Sequence, residues 1–156
     1  MATIVVETGS GSSTANSYVS ESELATYALD RGVTLTGTSS VLIIQAMDYL
    51  ESRNFIGTKS TLAQSLQWPR TGVEIDNYYI VSNSIPVLLK EAEMELCIAL
   101  DGGVNPLANQ DRETRKEKVG ELEVEYASNA AAITYLTAVQ AKLKKLVLPT
   151  ARIVRV

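Results

Sequence analysis

Three stretches of the chain place apolar residues three and four positions apart. Ile43, Ala46, Met47 and Leu50 form the first; Leu89, Ala92, Leu96 and Ala99 or Leu100 form the second. Ile133, Leu136, Val139 or Gln140, Leu143 and Leu146 form the third. Residues at that spacing share one side of an α-helix, and that side must be covered by another element. A further helix is signalled by Ser20 with Glu23 three residues on, a capping box, followed by Leu24, Tyr27 and Ala28 on one face. Gly32 is placed to end it. The chain is therefore expected to be mainly α, with about four helices.

The punctuation between the stripes sets the boundaries. Ser39 or Ser40 is expected to cap a helix over Val41–Arg53. Residues 54–83 read as loop-rich, with a short helix near Leu62–Leu66 that Trp68-Pro69 stops. Tyr78–Val81 has the composition of a short strand. Ser84 is expected to cap a third helix, with Pro86 in its first turn and Gly102-Gly103 at its end. A charged connection over 104–118 precedes the clearest strand, where Leu122, Val124 and Tyr126 alternate with Glu121, Glu123 and Glu125. The fourth helix is expected from Ala130 to Leu146, with Pro149 breaking it. The organisation is an N-terminal arm (1–17), a helical domain (18–148) and a C-terminal arm (149–156). The first arm, rich in Gly and Ser, is either mobile or ordered against a neighbour.

At 156 residues the chain is one domain with a core of ordinary size. It contains no histidine, which removes His acid–base chemistry, the Ser-His-Asp and Cys-His constellations and the usual His-containing metal sites. One cysteine, Cys97, excludes an internal disulfide framework and reads as a small buried hydrophobe. The first residues do not read as a signal peptide, and no 18-residue apolar stretch suggests a membrane span. The net charge of −4 is unevenly spread. Residues 1–110 hold 5 basic and 12 acidic side chains, and residues 127–156 hold 5 basic and none acidic. An acidic body with a basic C-terminal end favours contacts with a partner of opposite sign and disfavours general phosphate binding.

Sequence patterns for catalysis are weak or broken. Gly9-Ser10-Gly11 opens a dinucleotide fingerprint, but Thr14 stands where its third glycine belongs. Gly57-Thr58-Lys59-Ser60 resembles the end of a phosphate loop, but Ser52 replaces the required earlier glycine. Glu91 and Glu95 share a helix face, where a solvated surface competes with a metal or acid–base pair. Glu121, Glu123 and Glu125 point one way, and could bind a cation, line a water-filled passage or face solvent. Trp68, Pro69 and Arg70 form either a loop anchor on the core or a base-stacking platform. In the tail Arg152 and Arg155 interleave with Ile153, Val154 and Val156, suiting strand addition to a partner. No enzyme activity and no cofactor or metal is expected.

Several motifs then occur in order: Ala15-Asn16-Ser17-Tyr18-Val19-Ser20, Phe55-Ile56-Gly57 after a helix, Gln67-Trp68-Pro69-Arg70, Ile85-Pro86 opening a helix with Lys90-Glu91-Ala92 and Glu95-Leu96, and Lys118-Val119-Gly120 leading into Leu122–Tyr126. The series resembles a family of tailed-phage head-to-tail adaptor (head completion, connector) proteins, whose members often carry the label "putative DnaT-like single-stranded DNA-binding protein". The resemblance spans roughly residues 15–126. It implies a small helical bundle with a short β element and extended arms. It also implies a homo-oligomeric ring, typically twelvefold, between the portal and the tail or stopper protein. Double-stranded DNA would pass through the ring without specific binding. The protein would then be a virion neck component made in the host cytoplasm. Residues 152–156 would meet the portal or a neighbouring subunit, and Glu121, Glu123 and Glu125 would face the channel. The alternative is the single-stranded DNA-binding protein of the label, using Trp68, Tyr78, Tyr79 and Arg70.

Overall fold

The computed structural model describes residues 2–107, 116–119, 122–125 and 136–149, the two middle runs by backbone alone. Four helices dominate: α1 (Glu21–Asp30), α2 (Ser39–Glu51), α3 (Val87–Asp101) and α4 (Thr137–Leu143). Three two-stranded antiparallel pairs accompany them: β1 (Thr58–Lys59) with β2 (Arg70–Thr71), β3 (Glu74–Ile75) with β4 (Tyr78–Tyr79), and β5 (Lys116–Val119) with β6 (Leu122–Glu125). The fold is mainly α with short β elements. Helix α3 is central: α2 packs along it, α4 packs along it, and α1 lies across α2 and α3. Among the described residues, no helix is long and apolar enough to cross a membrane.

Helix α1 follows its local signals. Ser20 Oγ accepts from Glu23 N at 3.2 Å and the Glu23 carboxylate accepts from Ser20 N at 2.7 Å, closing the capping box. At the other end Gly32 adopts φ +70°. Its N–H reaches Leu29 O at 2.9 Å, and Val33 N reaches Ala28 O at 2.9 Å, so two orphan carbonyls are satisfied.

Several other expectations are corrected. Ser39 and Ser40 do not cap α2: both lie inside it, Thr38 is the cap residue, and its side chain makes no capping bond. The Asp101 carboxylate at the end of α3 organises that turn, accepting from Thr36 N at 3.0 Å and Gly37 N at 2.6 Å. Pro86 rather than Ser84 is the cap residue of α3, and Ser84 Oγ donates to Val81 O at 2.9 Å. No helix forms at 62–66. Gln64 accepts from Thr61 N at 2.9 Å and donates to Leu66 O at 2.9 Å and Pro69 O at 3.0 Å, replacing the helical ladder with side-chain bonds. The strand expected over Tyr78–Val81 is the two-residue β4, turned by Asp76 (φ 53°) and Asn77 (φ 66°), both left-handed as a tight hairpin of this kind demands. Gly57-Thr58-Lys59-Ser60 enters strand β1, not the start of a helix where a phosphate loop would sit. Helix α4 is described from Thr137, and Ala130–Tyr135 lie outside the described residues.

The core gathers Tyr18, Val19, Leu24, Ile43, Leu50, Trp68, Val73, Leu89, Leu96 and Leu146, all fully buried. Residues 2–17 lie against the same body. Glu7 N bonds Ser17 O at 2.8 Å, and Asn16 N bonds Val5 O at 2.9 Å. Gly9, at φ +108°, approaches Asn83 so closely that a Cβ would stand 1.9 Å from its carbonyl oxygen. After α4 the chain pairs with the segment that leaves α2: Ile56 N donates to Leu146 O at 3.0 Å and Leu148 N to Asn54 O at 2.8 Å.

Trp68 is wholly buried, edge-on to Phe55 with ring centroids 6.1 Å apart. Trp68→Ala is expected to lower unfolding free energy by about 3–5 kcal/mol, measured by denaturant titration.

Candidate functional site

The residues singled out in the loop serve the fold. The Arg70 guanidinium donates to Ile56 O at 2.7 Å, Gly57 O at 2.7 Å, and the Gln67 side chain at 2.9 Å. Only 8% of Arg70 is exposed, so its donors are already used and out of reach of phosphate. Trp68, buried as above, offers no open ring face to a base. Tyr78 and Tyr79 are 76% and 80% exposed. The structure therefore separates the four residues of the stacking alternative: two are internal and two are on the surface.

The paired carboxylates on α3 are likewise divided among different partners. Glu91 forms an ion pair with Lys142 of α4. Glu95 accepts from the Tyr27 hydroxyl at 2.8 Å and from Arg31 Nε at 3.2 Å, while the Arg31 guanidinium sits 3.3 Å from the Tyr27 ring centroid. Among the described residues no three carboxylate or thiol groups converge to hold a metal ion. Cys97 is buried, and burial followed by the nearby Glu93 pushes its thiol up, away from nucleophilic use. Glu121 and Arg152–Val156 lie outside the described residues; Glu123 and Glu125 are placed by backbone alone, opposite Lys118 and Lys116.

Two buried carboxylates escaped the sequence reading. Glu7 is curled into the loop that follows it, accepting from Gly9 N at 2.7 Å, Gly11 N at 3.1 Å and Ser12 N at 2.6 Å. Burial alone would raise its pKa, but these backbone amides together outweigh it and hold the carboxyl below its ordinary value. Glu93 sits among α3 core residues, four positions from both Leu89 and Cys97, and that spacing was the signal available for it. It meets Ser17 Oγ at 2.7 Å and Tyr18 N at 3.0 Å. Burial pushes its pKa up to about 8. Ser17 Oγ also lies 2.6 Å from Val19 O, which can only accept. With its one proton given to that carbonyl, the hydroxyl is best satisfied by a protonated Glu93 donating to it.

The open site lies between α2 and α4, both of which pack on α3 while leaving a space between themselves. It is a groove of about 750 Å³ with mostly apolar walls, its lining including Tyr49, Arg53, Gln140, Lys144, Val147 and Leu148. The Arg53 guanidinium lies 4.0 Å above the Tyr49 ring, and its Nε is buried without a hydrogen-bond partner. Arg53 and Lys144 both line the groove, and no carboxylate does so among the described residues. This geometry is suited to contact with an acidic surface.

A family model described as "Putative DnaT-like ssDNA binding protein" matches residues 2–156. The chain belongs to that family. No curated protein and no solved structure matches it. Membership of this family covers nearly the full length, including the groove, the Trp68 loop and both terminal segments.

The Glu93 carboxyl has a pKa near 8 when folded against an ordinary 4.5. A raised folded value means that its contribution is complete below about pH 4.5 and gone once the pH has passed about 8. Wild type is therefore expected to lose stability relative to Glu93→Gln as the pH rises across that window. Urea titrations of both proteins at pH 5, 7 and 9 measure the difference, which should reach a few kcal/mol.

Proposed function

We propose that this protein is a non-catalytic structural subunit of a tailed-phage particle, a head-to-tail adaptor that forms a ring between portal and tail and extends the DNA channel. The ordered motif series supports this reading. The observation that carries it is the use of the basic side chains. Of the eight in residues 2–107 and 136–149, Arg31, Lys90, Lys142 and Lys145 pair with Glu95, Glu23, Glu91 and Asp76. Arg70 is spent on carbonyls. Among the described side chains Arg53, Lys59 and Lys144 remain without an ion pair, too few for the stripe of free charge that tracks a phosphate backbone. Such a surface suits a wall past which DNA slides.

In this proposal the work is done by shape and contact, with no cofactor and no reaction. Copies of the chain, the portal protein and a tail or stopper protein are its partners, and the neck of the virion is its place after synthesis in the host cytoplasm. Arg152–Val156 would supply the portal or neighbour contact, and Glu121, Glu123 and Glu125 the channel lining. Deleting residues 150–156 is expected to leave the helical circular dichroism signal unchanged while abolishing association with portal. Electron microscopy of the particle neck is the decisive measurement: the protein should lie between portal and tail, and its absence from purified virions would refute the proposal.

The family description favours a second reading, single-stranded DNA binding. Here the exposed Tyr78 and Tyr79 would stack bases and the cations of the α2–α4 groove would meet phosphate. An oligonucleotide mobility shift at low salt decides it. The adaptor proposal expects no shift; a micromolar, salt-dependent shift lost in Tyr78→Ala/Tyr79→Ala would establish the second reading.

A further inference from the structure

We infer that the α2–α4 groove receives the outer ridge of helix α1 from a second copy of this chain, giving a head-to-tail contact. This rests on the ring reading above and names the surfaces through which such a ring would close. The groove has apolar walls and two cations, Arg53 and Lys144, with no carboxylate among its described lining residues. The complementary feature is on α1. Its outward row is Glu21, Ala25 and Leu29, one helical turn apart, with Asp30 beside Leu29, and all four residues are exposed. Leu29 is 66% exposed, a large apolar side chain between acidic ends. An apolar ridge with acidic ends matches an apolar groove lined by two cations in polarity and in sign.

The placement of the two surfaces sets the kind of assembly. Helix α1 packs on α2 and α3, whereas α4 packs on α3 alone. The ridge and the groove thus lie on different parts of the body, and a copy cannot fill its own groove with its own α1. A contact between two different surfaces of identical subunits repeats from copy to copy, closing into a ring or extending as a filament. The exposed Tyr78 and Tyr79 are weaker candidates for the groove. Their hairpin is already tied to the segment that follows α4 of its own chain through Asp76 and Lys145, 2.5 Å apart.

The test is disulfide trapping in the full-length chain carrying Leu29→Cys and Lys144→Cys together. Native Cys97 is fully buried and does not interfere. Mild oxidation at high protein concentration is expected to give a ladder of linked multimers, with none from either single variant. No ladder, including from a chain that stays monomeric, overturns the inference. So does a ladder formed only by Tyr78→Cys with Lys144→Cys, or a product linked within one chain. Protection of position 144 by an oligo-dT strand would assign the groove to nucleic acid and likewise overturn it. A charge exchange gives a second measurement: Arg53→Asp should reduce multimers of the wild-type chain in native mass spectrometry, and adding Asp30→Arg should restore them. Restoration separates a lost contact from a misfolded variant. The outcomes are distinguishable from failure of the adaptor proposal. A ladder from a protein absent from virions would keep the interface and sink the function, and a neck protein without a ladder would do the reverse.

Discussion

Tyr18 is held at both ends by carboxyl groups, one fully buried and one half-buried. Its backbone N–H donates to Glu93 of α3, and its hydroxyl donates to Glu51 of α2 at 2.7 Å. The same hydroxyl accepts from Trp68 N at 3.2 Å, while the other Glu51 oxygen accepts from Gln67 N at 2.8 Å. One side chain thereby connects the N-terminal segment, both long helices and the Trp68 loop. Burial, then the negative charge of Glu51, pushes the Tyr18 pKa up, and burial raises that of Glu51 as well. Buried polar groups of this kind are costly when left unpaired, so a partner lost at any one point is felt along the whole chain of contacts. The geometry of the Trp68 loop depends on this network.

Charge on this molecule is arranged by contact more than by net value. The ion pairs that join α1 to α3 and α3 to α4 use cations that would otherwise face solvent, and exposed pairs of this sort add little to stability, about 0–1 kcal/mol each. Their larger consequence concerns recognition. Among the described residues they leave Lys59 on β1, with Arg53 and Lys144 of the groove, as the basic side chains outside such pairs and outside the Arg70 contacts. The proposed adaptor role and the single-stranded DNA role implied by the family description differ in what meets the groove cations, a carboxylate of a neighbour or a phosphate.

The elements legible in the sequence are those whose signal is local. The capping box of α1 needs only Ser20 and Glu23 three residues apart, and the Gly32 cap needs only a residue free to adopt positive φ. The core stripes of α2 and α3 follow from helical spacing, and Leu24, Ile43, Leu50, Leu89 and Leu96 are buried as their positions require. What was misread has a distant cause. Residues 62–66 are drawn out of a helix by Ser65, whose amide donates to Ser12 O at 2.9 Å, and by the bonds of Gln64. Ser39 and Ser40 fall inside α2 because the helix starts earlier, after a turn in which Asp101, more than sixty residues away, accepts from the amides of Thr36 and Gly37. Glu7 and Glu93 went unread because an acidic residue suggests a surface until its partners are known.

From the sequence alone came the helical class, the places of α1, α2 and α3, the absence of histidine chemistry and the split of charge along the chain. These depend on spacing and residue type, which operate within a turn or two of backbone. The tertiary structure alone decided that Trp68 and Arg70 face inward, that Glu91 and Glu95 serve different partners, and that α2 and α4 leave a groove lined by Arg53 and Lys144. Those outcomes require residues far apart in the chain to meet, and no local pattern encodes which partner a buried hydrogen bond or charge will find.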